Sequence, residues 1–299
     1  MSAASLPPQT MLILGAGYTG KAVARRLLFA GWRVRGTSRT AEGARALCEA
    51  GLDGIVANAE TLSPAIATDA NALLASAPPT DDGDPLLPGL EALGPEAWRT
   101  LRWIGYLSTT GVYGDTGGAW VDETAQPRPA NARGHRRLAA ESQWFEFGRK
   151  LGVPTHVFRL PGIYGPGRSA LDDVRSGRAR RIDKPGQVFS RIHVDDIART
   201  ILASLERPRH GAIYNVADDE PAPSAEVTAH ACKLLGVEPP PLVAYDAISA
   251  ELSPMGREFY ATNRRIANGL IKRELGVRLA YPTYREGLRA ISESETVAR

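Results

Sequence analysis

Cysteine is scarce in this chain: Cys48 and Cys232 are the only two in 299 residues, and they lie far apart. Neither has a second cysteine or a histidine at metal-ligand spacing, so no disulfide framework and no metal site is expected, and free thiols in a reducing compartment are the default. No apolar run reaches the roughly 20 residues that span a bilayer. The opening Met1–Thr10 lacks both a basic start and an apolar export segment. The expectation is a cytoplasmic protein with no membrane partner and a frayed leader before its first strand. Charge of one sign is missing too, because 36 Lys and Arg face 33 Asp and Glu, a formal net charge of +3. The nearest thing to a basic block, Arg175-Ser176-Gly177-Arg178-Ala179-Arg180-Arg181, reads as a solvated or anion-facing loop, so no nucleic-acid partner is expected. With 43% hydrophobic and 23% charged residues, the chain suits one large globular domain or a large and a small one.

What is present is concentrated near the amino terminus. Met11–Leu14 is an apolar run without polar alternation, the pattern of a strand buried on both faces. Gly15-Ala16-Gly17-Tyr18-Thr19-Gly20 comes directly after it, ahead of the helical pattern Val23, Ala24, Leu27, Leu28. In a strand-turn-helix of this kind the first glycine makes the tight turn, the second admits a pyrophosphate to the backbone, and the third lets the helix pack close on the strand. The glycine pattern alone is weak, and its place between strand and helix is what predicts a dinucleotide site at Gly15, Gly17, Tyr18, Thr19 and Gly20. A second strand, Trp32–Thr37, closes the β-α-β unit. About 20 residues beyond the glycines a carboxylate commonly takes the ribose 2′-hydroxyl, but here stand Ser38 and Arg39. No acid repels a 2′-phosphate and a guanidinium can pair with it, so NADP is expected in preference to NAD. Further strands are expected at Asp53–Asn58, Ala72–Ala77 and Trp103–Leu107, with helices over 41–50, 63–67 and 86–93. This alternation predicts an α/β, doubly wound parallel sheet whose ligand lies beyond the carboxyl ends of the strands. Ser76, Ala77 and Pro161 are strand-end positions expected to touch the cofactor.

At the end of the fifth strand, Leu107-Ser108-Thr109-Thr110-Gly111-Val112-Tyr113-Gly114-Asp115 resembles the Ser-Ser-x-x-x-Val-Tyr-Gly signature of extended short-chain dehydrogenases/reductases, the NAD-dependent epimerase/dehydratase family. Arg159–Gly167 resembles that family's Arg-x-x-Asn-x-Tyr-Gly-Pro-Gly, Ile192–Ala198 its His-Val-Asp-Asp segment, and Tyr214–Asp218 its Tyr-Asn-Val-Gly. The resemblance spans residues 11 to about 230 and is weakest in the carboxyl-terminal third. It implies a Rossmann-type domain over 1–165, with later returns near 186–218, and a smaller, interleaved substrate-binding part over 166–299. It implies a small-molecule substrate, with nucleotide-linked sugars among the candidates, and a monomer or homodimer.

Aligned on Val112-Tyr113-Gly114, Thr109 takes the position of the hydroxyl that bonds the substrate oxygen. The family's Tyr-x-x-x-Lys is replaced. Leu138-Ala139-Ala140-Glu141 matches the family's residues just after the lysine, which places Arg137 at the lysine position and Arg133 at the tyrosine position. Arg137 is then expected to hold the nicotinamide ribose, while Tyr113, Tyr164 and His135 are the neighbours that would have to replace the missing acid. Two readings stay open: an NADP-dependent oxidoreductase or epimerase-like enzyme, and a non-catalytic NADP-binding sensor, regulator or assembly protein. His135, His156 and His193 read first as structural hydrogen-bonders, and Asp195 and Asp196 as N-caps of a helix over Ile197–Leu205.

Overall fold

In the computed structural model the described residues are 9–58 and 62–297; of the expected leader, residues 1–8 lie outside them. The chain opens as β1 (Thr10–Leu14), α1 (Tyr18–Phe29), β2 (Arg33–Ser38), α2 (Ala41–Glu49), β3 (Asp53–Val56), β4 (Ala70–Ala75), α3 (Leu87–Ala92) and β5 (Trp103–Thr109). It continues through β6 (Trp120–Val121), α4 (Ala132–Leu151), β7 (Thr155–Leu160), β8 (Gly162–Tyr164), α5 (Ala170–Arg175), β9 (Arg181–Asp183), β10 (Arg191–His193), α6 (Val194–Glu206) and β11 (Ala212–Asn215). The remainder is α7 (Ser224–Leu235), β12 (Leu242–Ala244), α8 (Tyr245–Ile248), α9 (Pro254–Tyr260), β13 (Arg265–Ile266), α10 (Gly269–Glu274) and α11 (Tyr284–Val297).

Seven strands form one parallel sheet in the order β11-β7-β5-β4-β1-β2-β3. The order reverses between β1 and β4, the switch point at which open α/β sheets leave a crevice for a ligand. Every residue of β1 is buried, which is why its sequence shows no alternation. The fourth strand starts two residues earlier than the sequence pattern suggests, so Ser76 and Ala77 lie just past its end.

Two compact units share the chain. The first comprises residues 1–108, 136–158 and 198–213, and the second 109–135, 159–197 and 214–299. The core of the first unit gathers Leu12, Leu14, Leu73, Ile104, Tyr106, Trp144 and Phe147. The second unit has two smaller clusters, one around Tyr164, Leu171, Tyr284 and Leu288 and another around Ile182, Phe189, Ile248 and Tyr260.

One helix start differs from expectation. α6 begins at Val194, so Asp195 and Asp196 lie inside its first turn instead of capping it. The fully buried Asp196 carboxylate accepts the backbone amides of Ala280 and Tyr281 at 2.8 and 2.9 Å. It fastens a loop 84 residues away, which no local pattern announces.

Candidate functional site

The glycine turn in the first unit is built as the spacing requires. Gly15 has φ +74°, and a Cβ there would lie 3.0 Å from the backbone of Ala77, the residue just past β4. A side chain is therefore excluded twice, by conformation and by the close approach of two strand ends. Thr37, buried in β2, fixes the turn by accepting the Gly15 amide on Oγ1 at 2.8 Å and the Ala16 amide on its carbonyl at 2.9 Å. A Cβ on Gly20 would sit 3.1 Å from Ile13 Cγ2, so α1 packs directly on β1. Gly17 differs: a Cβ there would meet nothing nearer than the Gly15 carbonyl at 3.9 Å, and the residue is exposed. Gly17 is the N-cap of α1, with no side chain capping that end and no acid in its first turn. The helix thus presents amide donors and the positive end of its dipole to the open side of Gly17, a cradle that fits the pyrophosphate of a dinucleotide. Tyr18 and Thr19 open the same helix, and Ser76 donates its amide to Leu14 O at 2.8 Å.

Beyond β2, Ser38, Arg39 and Thr40 form the entry to α2. Thr40 caps the helix by accepting the Gly43 amide on Oγ1 at 3.1 Å, and Ser38 Oγ lies where a Cβ on Gly43 would be. Arg39 is exposed and has no ion-pair partner among the described residues. The acid nearest in sequence, Glu42, lies inside the first turn of α2.

Where β5 meets α4, Arg137 is half-buried; one guanidinium nitrogen donates to Leu107 O, and its Cζ lies 5.9 Å from the centroid of the Tyr106 ring. One turn further along α4, the buried Glu141 accepts the Ser108 hydroxyl at 2.5 Å. These two bonds pin the end of β5 to the helix. The sequence pattern gave no role to Glu141, although it stands four residues after Arg137 and therefore on the same helix face.

In the second unit Thr109 caps the short turn Thr110–Tyr113, its Oγ1 accepting the Gly111 amide at 3.1 Å. That acceptance leaves the hydroxyl proton to donate elsewhere. Asn131 caps α4 through the Gly134 amide at 2.9 Å, and a Cβ on Gly134 would approach Gly111 O to 3.1 Å. Glycine at 134 thus lets the start of α4 lie against the Thr109 turn. Arg133, one residue earlier, is exposed and unpaired among the described residues. Pro161 is half-buried immediately after β7.

The candidate replacement acids fare differently. Tyr113 is buried, donates to Asn215 Oδ1 at 2.8 Å, and lies under the Arg159 guanidinium at 4.8 Å; burial pushes its phenol up. Tyr164 is buried against α11, where a Cβ on Gly287 would collide with its hydroxyl, and burial raises its phenol far above the usual range. Both are poor proton donors near neutrality. His135 is exposed on the first turn of α4. The basic run is spent locally: Arg175 pairs with Glu295 at 2.5 Å, Arg178 with Asp173 at 3.3 Å and Arg180 with Glu251 at 3.5 Å. Among the described residues no helix is long and apolar enough to cross a membrane, and no cluster of three or more metal-ligating side chains occurs.

Residues 96–217 match the family model described as "NAD dependent epimerase/dehydratase family". A solved structure from Silicibacter pomeroyi, a conserved protein of unknown function, is 47% identical over 96% of this chain and 99% of that one, with a TM-score of 0.87. The match over residues 96–217 identifies a domain of the NAD-dependent epimerase/dehydratase family within the chain. Protein YeeZ of Escherichia coli K12 is 29% identical over 76% of this chain and 84% of its own length. The UDP-glucuronic acid 4-epimerase of Bacillus cereus, solved with NAD, has a TM-score of 0.74 at 18% identity, covering 95% of this chain and 96% of that one. At that identity the likeness is one of fold.

Proposed function

We propose that this protein binds NADP(H) and acts as an oxidoreductase on a small molecule carrying a carbonyl or alcohol group. The observation that carries the cofactor reading is the turn Ser38-Arg39-Thr40, with an exposed guanidinium that has no ion-pair partner among the described residues and no acid where a ribose 2′-hydroxyl would need one. In this reading Gly15, Gly17, Tyr18, Thr19 and Gly20 hold the pyrophosphate, Ser38 and Arg39 the 2′-phosphate, and Ser76 and Ala77 the nicotinamide half. Bound NADPH supplies the hydride. Thr109 donates a hydrogen bond to the substrate oxygen. Arg137 holds the nicotinamide ribose with the donors it does not spend on Leu107 O. Arg133 adds positive charge beside the reacting oxygen but cannot deliver a proton, because a guanidinium stays protonated. The proton then comes from water, and the reaction forgoes acid-base help worth roughly 10²- to 10⁴-fold.

A second reading, a protein that binds NADP without turnover, is favoured by Arg133 and Arg137 together with the burial of Tyr113 and Tyr164. Titration calorimetry with NADP⁺ and NAD⁺ on the parent and Arg39→Ala tests the cofactor assignment: the parent should prefer NADP⁺ and the variant should not. NADPH oxidation with a carbonyl panel separates the two readings. Slow turnover that falls by roughly 10²-fold in Thr109→Val, the loss of one oxyanion donor, supports the enzyme. Its complete absence supports the binding protein.

A further inference from the structure

We propose that Glu141 is a positioning residue for the nicotinamide half of the cofactor, acting through Ser108 and Arg137. This rests on the cofactor reading above. All the groups involved belong to the first unit. There the strand ends stand level: Leu14 of β1 is in register with Ala75 of β4, and Ala75 with Tyr106 of β5. One residue further along each strand come Gly15 of the glycine turn, Ser76 and Leu107. The Leu107 carbonyl that Arg137 binds therefore stands level with Ser76, at the crevice that the switch point leaves.

The guanidinium is supported from beneath. Tyr106, whose ring it lies over, is fully buried and stacks on Trp144 with centroids 6.2 Å apart, and the Trp144 indole donates to the buried Asp84 carboxylate at 3.0 Å. Arg137, Glu141 and Trp144 follow one another on α4 at spacings of four and three, so they share a face. That support leaves the strand carbonyl to be fixed. The register of β5 with β4 ends at Tyr106, and Leu107 and Ser108 lie past it. Glu141 supplies the hold there: it is buried and accepts the Ser108 hydroxyl at 2.5 Å. Without it the buried hydroxyl loses that acceptor, and the strand end can turn to find another. The acid thus sets the direction of the Leu107 carbonyl, and the carbonyl sets which donors Arg137 turns toward the nicotinamide ribose.

The test is the ratio of the affinities for NADP⁺ and for adenosine 2′,5′-bisphosphate, which lacks the nicotinamide half, measured by calorimetry with thermal denaturation alongside. Glu141→Leu and Ser108→Ala should each lower that ratio about fivefold or more, with affinity for the bisphosphate unchanged. Glu141→Gln, whose amide oxygen still accepts the hydroxyl, should keep the parent's ratio. Arg137→Ala should lower it at least as far, and adding Ser108→Ala to Arg137→Ala should lower it no further, because both act on one group. A brace with a merely structural role would lower the melting temperature and leave the ratio unchanged, which overturns the proposal. Additive effects of Ser108→Ala and Arg137→Ala, a lowered ratio in Glu141→Gln, or equal losses for the two ligands would also overturn it. If Glu141→Leu does not fold, Ser108→Ala and the double variant decide the matter alone. Failure of NADP⁺ to bind the parent strikes the cofactor reading and the proposal with it, whereas NADP⁺ binding with a ratio indifferent to these variants strikes the proposal alone.

Discussion

Gly15→Ala and Gly17→Ala should fail in opposite ways, and the contrast comes from two distances. At Gly15 an added methyl must enter a left-handed conformation, costing about 1–2 kcal/mol for an L-residue. It must also lie 3.0 Å from the Ala77 backbone, which cannot swing aside as a flexible side chain would. Overpacking of this kind costs about 1–3 kcal/mol. Together the loss is about 2–5 kcal/mol, and for a chain of this size the melting temperature should fall by roughly 5–15 °C. At Gly17 the backbone is extended, with φ −78°, and the nearest atom to a new methyl is 3.9 Å away. Stability should stay within roughly 0.5 kcal/mol of the parent. The methyl would instead project into the space where the pyrophosphate approaches the helix amides, so dinucleotide affinity should fall tenfold or more, or about 1.4 kcal/mol. Thermal denaturation without ligand, paired with calorimetric titration of NADP⁺, separates the two effects. A Gly15→Ala protein that melts with the parent, or a Gly17→Ala protein that binds NADP⁺ as the parent does, would refute the reasoning.

Burial pushes the His156 imidazole down to about 4. Between pH 6.5 and 4 the unfolded chain takes up a proton that the native state refuses, so stability should fall as pH drops through that window, and an NMR titration of the ring near 6.5 would contradict this. Asp218 moves the other way, with burial raising its carboxyl to about 8 against the opposing pull of Arg191. Its native form holds a proton that the unfolded chain releases above about pH 4, so stability should fall as pH rises toward 8. Asp218→Asn should then melt higher than the parent at about pH 8 and close to it at about pH 4. Tyr113→Phe removes a buried hydrogen bond to Asn215 and should destabilise by about 1 kcal/mol while leaving any NADPH-dependent turnover within about twofold; a large loss of turnover at unchanged stability would make Tyr113 the acid after all.

The glycine turn was legible because its whole logic is local: an unbroken apolar run, three glycines at fixed spacing and a helical pattern stand side by side in Met11–Leu28. The parallel sheet was legible through the alternation of strands and helices. The brace of Ser108 on Glu141 was not, because the partners are 33 residues apart and a glutamate on a helix reads as solvated until the strand beneath it is known. Asp195 and Asp196 misled for the opposite reason. Acids at a helix start are good local caps, and only the fold brings the amides of Ala280 and Tyr281 to Asp196. The availability of Tyr113 and Tyr164 depended on burial, which the motif around each does not encode.

Whether Arg39 reads a 2′-phosphate is decided by two ligands that differ in that group alone, adenosine 2′,5′-bisphosphate and adenosine 5′-monophosphate. An exposed guanidinium-phosphate pair is worth about 1 kcal/mol. The bisphosphate should therefore bind the parent about fivefold tighter or more, and the two should bind Arg39→Ala equally, with the monophosphate unaffected by the change. Equal affinities in the parent, or a preference that survives in Arg39→Ala, would contradict the account.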